Sequence, residues 1–274
     1  MEHILGDIKV SESDDWVQEH VLVWVNKTFS HPDVQDVIDF KVVHDSLFKN
    51  PILTAGLNST DPTERERHVK LMKNHCARID VEFVFPKYSG NTLRLFARTH
   101  KGDIRVRTEG PTMVFKELHL ETQVGDVFFE AGTVQTSTSI KTGRGKVQGT
   151  VRTLEQVEVT TTTGDIALRV DTKPGYHGSD TKNLNITLQS TKSSIDLELV
   201  RQYNGWFSLM SGIDRPTFGL SPDYKDFIRI SSSTATSLSG WVWDGFSGRK
   251  DLPSVSATAS SGTVHAQVLS KPKK

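Results

Sequence analysis

Three aspartates, Asp103, Asp126 and Asp165, occupy the same place in a recurring phrase, directly after a glycine and before an alternating apolar pair. If the phrases stack as adjacent strands, their carboxylates line up along one edge at roughly 4.8 Å per step. Such a row has two chemical uses: it can hold a cation, or it can supply the carboxylate pair of a polysaccharide-cleaving β-helix enzyme. Lys146 interrupts the row between Asp126 and Asp165. An aspartate in a tight turn is also accounted for by hydrogen bonds to its own nearby backbone, and this turn reading is the one the residues favour. Calcium-roll repeats need doubled glycines at a nine-residue period, which this chain lacks.

The remaining chemistry-bearing residues give little. The ten histidines do not cluster at ligand spacing. His68, His75 and Cys76 form the one candidate group, and with no further soft ligand nearby they read as surface or core residues. There is no Gly-x-Ser-x-Gly elbow, no P-loop and no Gly-x-Gly-x-x-Gly after a strand. Thr142-Gly143-Arg144-Gly145 reads as a turn with no helix behind it. No catalytic, cofactor-binding or metal-binding residue is assigned, no cofactor is implied, and the balance of motifs is against an enzyme.

The phrase that carries the aspartates is itself the main signal. It reads Gly102-Asp103-Ile104-Arg105-Val106, Gly125-Asp126-Val127-Phe128-Phe129, Gly145-Lys146-Val147 and Gly164-Asp165-Ile166-Ala167-Leu168, with glycines 23, 20 and 19 residues apart. Outlying copies are Gly6-Asp7-Ile8-Lys9-Val10, Ser193-Ser194-Ile195-Asp196-Leu197 and Ser260-Ser261-Gly262-Thr263-Val264. Apolar side chains fall at every second residue after each turn, which is the pattern of a half-buried strand. Between Leu118 and Val170 each unit offers two short strands, and a two-stranded unit cannot bury its apolar face alone. Stacking the units shares one hydrophobic interior, with Val127, Val147 and Ile166 as equivalent positions. The glycine supplies positive φ at the turn.

The expected fold class is therefore all-β: a repeat-stacked β-solenoid or β-helix-like body with a small irregular N-terminal insert and an aromatic C-terminal cap. We read 1–274 as a single domain, with the insert at 11–76, core repeats at 77–200, and the cap and closing strand at 201–274. Within the insert, Val21-Leu22-Val23-Trp24-Val25 predicts a fully buried strand, and residues 34–48 mix helix and strand signals. Asp61-Pro62-Thr63-Glu64 is a helix start, while Arg65 to Asn74 fits either a surface helix or the polar arm of a hairpin. Ile79, Val81, Phe83 and Phe85 form a strand ended by Pro86, followed by a turn at Tyr88-Ser89-Gly90-Asn91 and an arm through Leu93, Leu95 and Ala97. Past Leu199 the chain turns aromatic, with Trp206, Phe207, Phe218, Tyr224, Phe227, Trp241, Trp243 and Phe246. A core-closing cap is the favoured reading; a ligand platform, for instance for sugars, is the other.

Composition bounds the partners. Lys plus Arg and Asp plus Glu are 33 each, so no net field draws the chain to nucleic acid or an anionic membrane. The terminal Lys271-Pro272-Lys273-Lys274 reads as a solvated end. One cysteine excludes an internal disulfide and points to a reducing compartment. Sequons at Asn26, Asn58 and Asn185 point the other way. No apolar run approaches the ~20 residues of a spanning helix, and the first ten residues lack a leader's apolar region. Because the chain starts inside a strand-like phrase, the expectation is a fragment whose leader or membrane anchor lies outside it.

The phrases Leu120-Glu121-Thr122-Gln123-Val124-Gly125-Asp126-Val127 and Val159-Thr160-Thr161-Thr162-Thr163-Gly164-Asp165-Ile166 resemble the Thr-x-x-Gly-Asp-Ile repeat of the putative adhesin family. These are β-strand-repeat proteins of uncharacterised function, bacterial and also fungal, from cell-surface or membrane-anchored chains. The resemblance covers Ile79 to Leu199. It implies a right-handed stacked β body, often joined to a membrane helix, and carries no established catalytic residues. The family's aspartate is missing at Gly145-Lys146 and Ser194-Ile195, which argues further against a required acidic site. The reading is a non-enzymatic adhesin-like or scaffold module, extracellular or at the cell surface, meeting a surface protein or polysaccharide. The alternatives are a carbohydrate-active β-helix protein and, for compartment, the cytoplasm.

Overall fold

The computed structural model describes residues 4–13, 21–44, 51–57, 61–86, 93–108, 114–153, 155–171, 184–200, 203–221, 228–242 and 253–269. Strands β1 (Ile4–Leu5), β2 (Ile8–Glu12) and β3 (Leu22–Phe29) lead to helix α1 (Pro32–Val37), strands β4 (Ile38–His44) and β5 (Pro51–Leu57), and helix α2 (Pro62–Asn74). Next come β6 (Ala77–Phe85), β7 (Leu93–Lys101), β8 (Ile104–Arg107), β9 (Val114–Val124), β10 (Val127–Arg144), β11 (Val147–Thr153), β12 (Gln156–Thr163) and β13 (Ile166–Asp171). The chain continues through β14 (Asn185–Ser190), β15 (Ile195–Val200), β16 (Gly205–Ser211), β17 (Thr217–Leu220), β18 (Ile228–Ser233), β19 (Ser237–Val242), β20 (Ser254–Ala259) and β21 (Val264–Leu269). Among the described residues the class is all-β, 70% strand against 8% helix, and 19 strands join one large sheet that does not close into a barrel.

Most of that sheet is two parallel ladders, and each glycine turn passes the chain from one to the other. Strands before the turns pair in the order β7, β9, the second half of β10, β12, β14, β20 and β16. Strands after the turns pair in the order β2, β8, the first half of β10, β11, β13, β15, β21 and β17. The register places like on like. Val127 faces Val147, Val147 faces Ile166, Ile166 faces Ile195 and Ile195 faces Val264, all fully buried. Leu120, Ile140, Val159, Leu188, Ala257 and Leu209 form the matching row of the other ladder. Each enclosed Val, Leu or Ile contributes about 1.5–3 kcal/mol relative to exposure, and both ladders feed one contiguous core.

Sequence reading and structure part at several points. Strand β10 runs through Gly143 and Arg144, so the turn there is confined to Gly145 and Lys146. The closing segment, Val255 to Leu269, pairs back on the body as its alternating pattern suggests. β20 pairs with both β14 and β16, and β21 with both β15 and β17, so the last described strands lie between earlier ones. Residues 62–74 form helix α2, capped by Asp61, whose carboxylate accepts from the Thr63 amide at 2.8 Å. Residues 32–37 are helix and 38–44 strand, which explains the mixed signal there.

The apolar run at 21–25 is a strand but not a buried one. β3 pairs antiparallel with β6 alone among the described strands, and Trp24 is 63% exposed. A continuous apolar run shows strand propensity, whereas burial depends on what packs against each face. β3 and β6 nevertheless contribute to a second, smaller core of Val34, Ile38, Met72, Ala77 and Ile79, with Val25 and Phe29 packed against it. Tyr88-Ser89-Gly90-Asn91, Leu154, Tyr224, Phe227, Trp243, Phe246, the Asn58 sequon and the terminal lysines lie outside the described residues.

Candidate functional site: the turn row and the outer trough

The aspartate row forms as the spacing suggested, but its hydrogen bonds run between turns rather than within them. The Asp103 amide donates to Asp7 Oδ1 at 2.8 Å, the Asp126 amide to Asp103 Oδ1 at 2.9 Å, and the Lys146 amide to Asp126 Oδ1 at 2.7 Å. Further along, the Ser194 amide donates to Asp165 Oδ1 at 3.2 Å. Lys146 receives this bond but has no acceptor to offer the next rung. At Ser194 a hydroxyl replaces the carboxylate, accepting from Thr263 Oγ1 at 3.0 Å.

The rest of the phrase serves the same joint. Thr122 Oγ1 donates to the Gly102 carbonyl at 3.0 Å and Thr142 Oγ1 to the Gly125 carbonyl at 3.1 Å, each reaching the preceding turn. Gly125 has φ +152°, and a Cβ there would stand 2.0 Å from the Gly102 carbonyl oxygen; Gly145 repeats the geometry against Gly125. Both the backbone conformation and the contact exclude a side chain. Thr-x-x-Gly-Asp is thus a cross-rung fastening in which threonine, glycine and aspartate each have a partner one turn away.

That geometry weakens the acidic-site readings. Among the described residues no group of three or more His, Cys, Asp or Glu side chains could hold a metal ion. His75 instead packs against His31 with the rings tilted by 36° and their centres 4.8 Å apart, and Cys76 is exposed. Asp80, on β6 beside the first turn, sits in a hydrogen-bonded network with Arg78 and Asp7. Burial raises the Asp80 carboxyl, but hydrogen bonds from Arg78 and the Asp7 amide, with the Arg78 charge, outweigh it and hold the group below its ordinary range.

The outward faces of the post-turn ladder carry a different arrangement. A trough of about 460 Å³ lies across β8, β10, β11, β13 and β15, and its lining includes Ala167 and Thr150, small exposed residues with larger neighbours in register on either side. Phe128, Arg105 and Arg107 stand on one side and Asp196 and Glu198 on the other. Its arginines are partnered: Arg105 with Asp103 at 3.0 Å, Arg107 with Glu130 at 3.8 Å and Arg169 with Glu198 at 3.9 Å. The Arg105 guanidinium also sits 5.8 Å from the Phe128 ring centre. A second depression of about 390 Å³ shares Asp196 and Glu198 with the first and continues to Thr217 and His265. Sequence reasoning missed these residues because it treated outward positions as mere solvated alternation; the signal was a small outward residue on each of two paired strands, Thr150 and Ala167.

The described aromatics of the segment divide between buried and exposed positions. Phe207 is buried and stacks on Phe218 at 4.0 Å, closing the core. Trp206 points outward, 49% exposed, and meets Trp241 at 5.0 Å. Burial raises the Tyr203 phenol well above its ordinary value, and its hydroxyl donates to the Trp206 carbonyl.

No family model matches the chain, and no curated protein matches it. A solved structure from Clostridium sporogenes, described as a putative cell adhesion protein, overlays with a TM-score of 0.34 at 9% identity, covering 97% of this chain and 90% of that one. A likeness of that degree decides neither architecture nor role. No described helix is long and apolar enough to cross a membrane.

Proposed function

We propose that this chain is a non-enzymatic, adhesin-like or scaffold β-repeat module, extracellular or at a cell surface, that meets its partner through the outer faces of its ladders. In this reading the two ladders wind as successive turns of a β-solenoid, residues 1–274 form one domain, and the segment 11–76 sits on one end of it. The supporting observation is the turn row: Asp7, Asp103, Asp126 and Asp165 each accept a backbone amide from the adjacent rung, so the repeated acids have a structural assignment. A general acid or nucleophile needs a carboxyl aimed at a reacting bond, not one fixed on backbone.

The test is incubation with neutral and acidic polysaccharides, followed by measurement of new reducing ends. The expected result is none for the wild type. Cleavage that disappears in the Asp126→Ala/Asp165→Ala double variant, with the fold intact by circular dichroism, would overturn the reading. The second reading, a carbohydrate-active protein, is supported by the trough, where guanidinium groups, carboxylates and an aromatic ring converge.

A further inference from the structure

We infer that the outer trough binds a neutral, linear oligosaccharide lying across the strands; this rests on the proposal that the module works by binding through its outer faces. Three features identify the ligand class. The first is length. The two depressions share residues and run from β8 to β17, six ladder steps, or roughly 29 Å at ~4.8 Å per step. A groove of that length with a regular cross-strand spacing suits a polymer with a short repeating unit rather than a compact metabolite.

The second feature is charge. The charged side chains lining the first depression are Arg105, Arg107 and Arg169 against Glu130, Asp196 and Glu198, so the formal charges cancel. Each arginine already has a carboxylate within 4 Å. An anionic chain would have to displace those partners and approach Asp196 and Glu198, and a cationic one would meet the arginines. A neutral ligand rich in hydroxyls can accept from the guanidinium groups and donate to the carboxylates without breaking the pairs.

The third feature separates a glycan from a peptide. The backbone amides and carbonyls of β10, β11, β13 and β15 are paired on both sides within the ladder, so the trough floor presents no strand edge for a peptide backbone to join. What the floor does offer is the Phe128 ring, the methyl of Ala167 and the hydroxyl of Thr150. An aromatic face beside small side chains accommodates the C–H face of a pyranose, while flanking polar groups fix its hydroxyls.

The experiment uses the full chain and calorimetric titration with cellohexaose, chitohexaose and mannohexaose, and with hexagalacturonate as the anionic comparison. Two variants report on the trough: Ala167→Trp, which fills it from an exposed lining position, and Phe128→Ala, which removes its ring. At least one neutral hexasaccharide should bind, with affinity unchanged between about 50 and about 500 mM NaCl. Each variant should weaken binding by about tenfold or more with the melting temperature unchanged. The inference is overturned if no neutral hexasaccharide binds, if hexagalacturonate binds preferentially with steep salt dependence, or if both variants bind like the wild type. Failure of the underlying reading looks different. Bound hexasaccharide that is cleaved would contradict the non-enzymatic role and leave the trough standing. Adhesion of chain-coated beads to cells that survives Ala167→Trp would keep that role and remove the trough.

Discussion

Val147 and Val23 are the same residue type, each in a strand and each in register with an apolar partner, yet Val147 is fully enclosed and Val23 is 45% exposed. The difference lies in what flanks them. Val147 has Val127 on one side and Ile166 on the other, so three rungs close over one another's side chains. β3 pairs with β6 along its length and has no other described strand beside it. The same local pattern therefore gives core in the middle of the ladder and surface at its end. A repeat supplies each rung with two neighbours of its own kind, and the fastening at the turn holds them in register.

Six substitutions, grouped in four tests, probe that contrast, beginning with the turn. Gly125→Ala places a Cβ against the Gly102 carbonyl in a backbone conformation closed to alanine and should cost about 3 kcal/mol or more in chemical denaturation. Gly219→Ala is its control, because the added Cβ makes only ordinary contacts, with Gln267 Cβ at 3.6 Å and the Ala266 carbonyl oxygen at 3.9 Å, and its cost should stay within about 0.5 kcal/mol. If the two glycines tolerate alanine equally, the fastening is not what specifies the stack. Next, Val147→Ala should lose about 2 kcal/mol, whereas Val23→Ala should stay within about 0.5 kcal/mol.

A third change should act in the opposite direction. Thr138 is fully buried between Leu118 and Val157, and its hydroxyl has no hydrogen-bond partner among the described residues. Thr138→Val replaces that hydroxyl with a methyl of similar size and should raise stability by about 1 kcal/mol. The smallest effect belongs to the end turn. The Asp80 carboxyl is held below its unfolded value by Arg78 and the Asp7 amide, so its contribution is present above the unfolded pKa, about 3.9, and fades as pH falls through the lower folded value. Unfolding curves below about pH 4 should show a shallower loss of stability for Asp80→Asn than for the wild type. An identical slope in both would contradict the assignment.

Much of the ladder was legible in the residues. Alternation after each Gly-Asp located the inward rows, and the fixed glycine spacing made Val127, Val147 and Ile166 equivalent. Pro86 marked the end of β6, because proline cannot continue the pairing. What stayed hidden depends on contacts between distant segments. The partner of an aspartate carboxylate could be its own turn or the next, and only the stacked register decides for the amide 20 residues on. The exposure of Trp24 depends on the ladder ending at β3. The placement of β20 and β21 between earlier strands reflects no local signal, since each reads simply as another alternating strand. The trough arises from outward side-chain sizes compared across five strands, a property of the stack rather than of any one phrase.

The central claim is that the repeated aspartates join rung to rung, and the Lys146 amide tests it most directly. It belongs to an exposed residue at a turn, yet it donates to Asp126 Oδ1 at 2.7 Å. Hydrogen exchange on the native chain should find that amide protected in the wild type and released selectively in Asp126→Ala, with Val147 still protected. Exchange of Lys146 at the rate of an open loop in the wild type, or identical protection in the variant, would contradict the account.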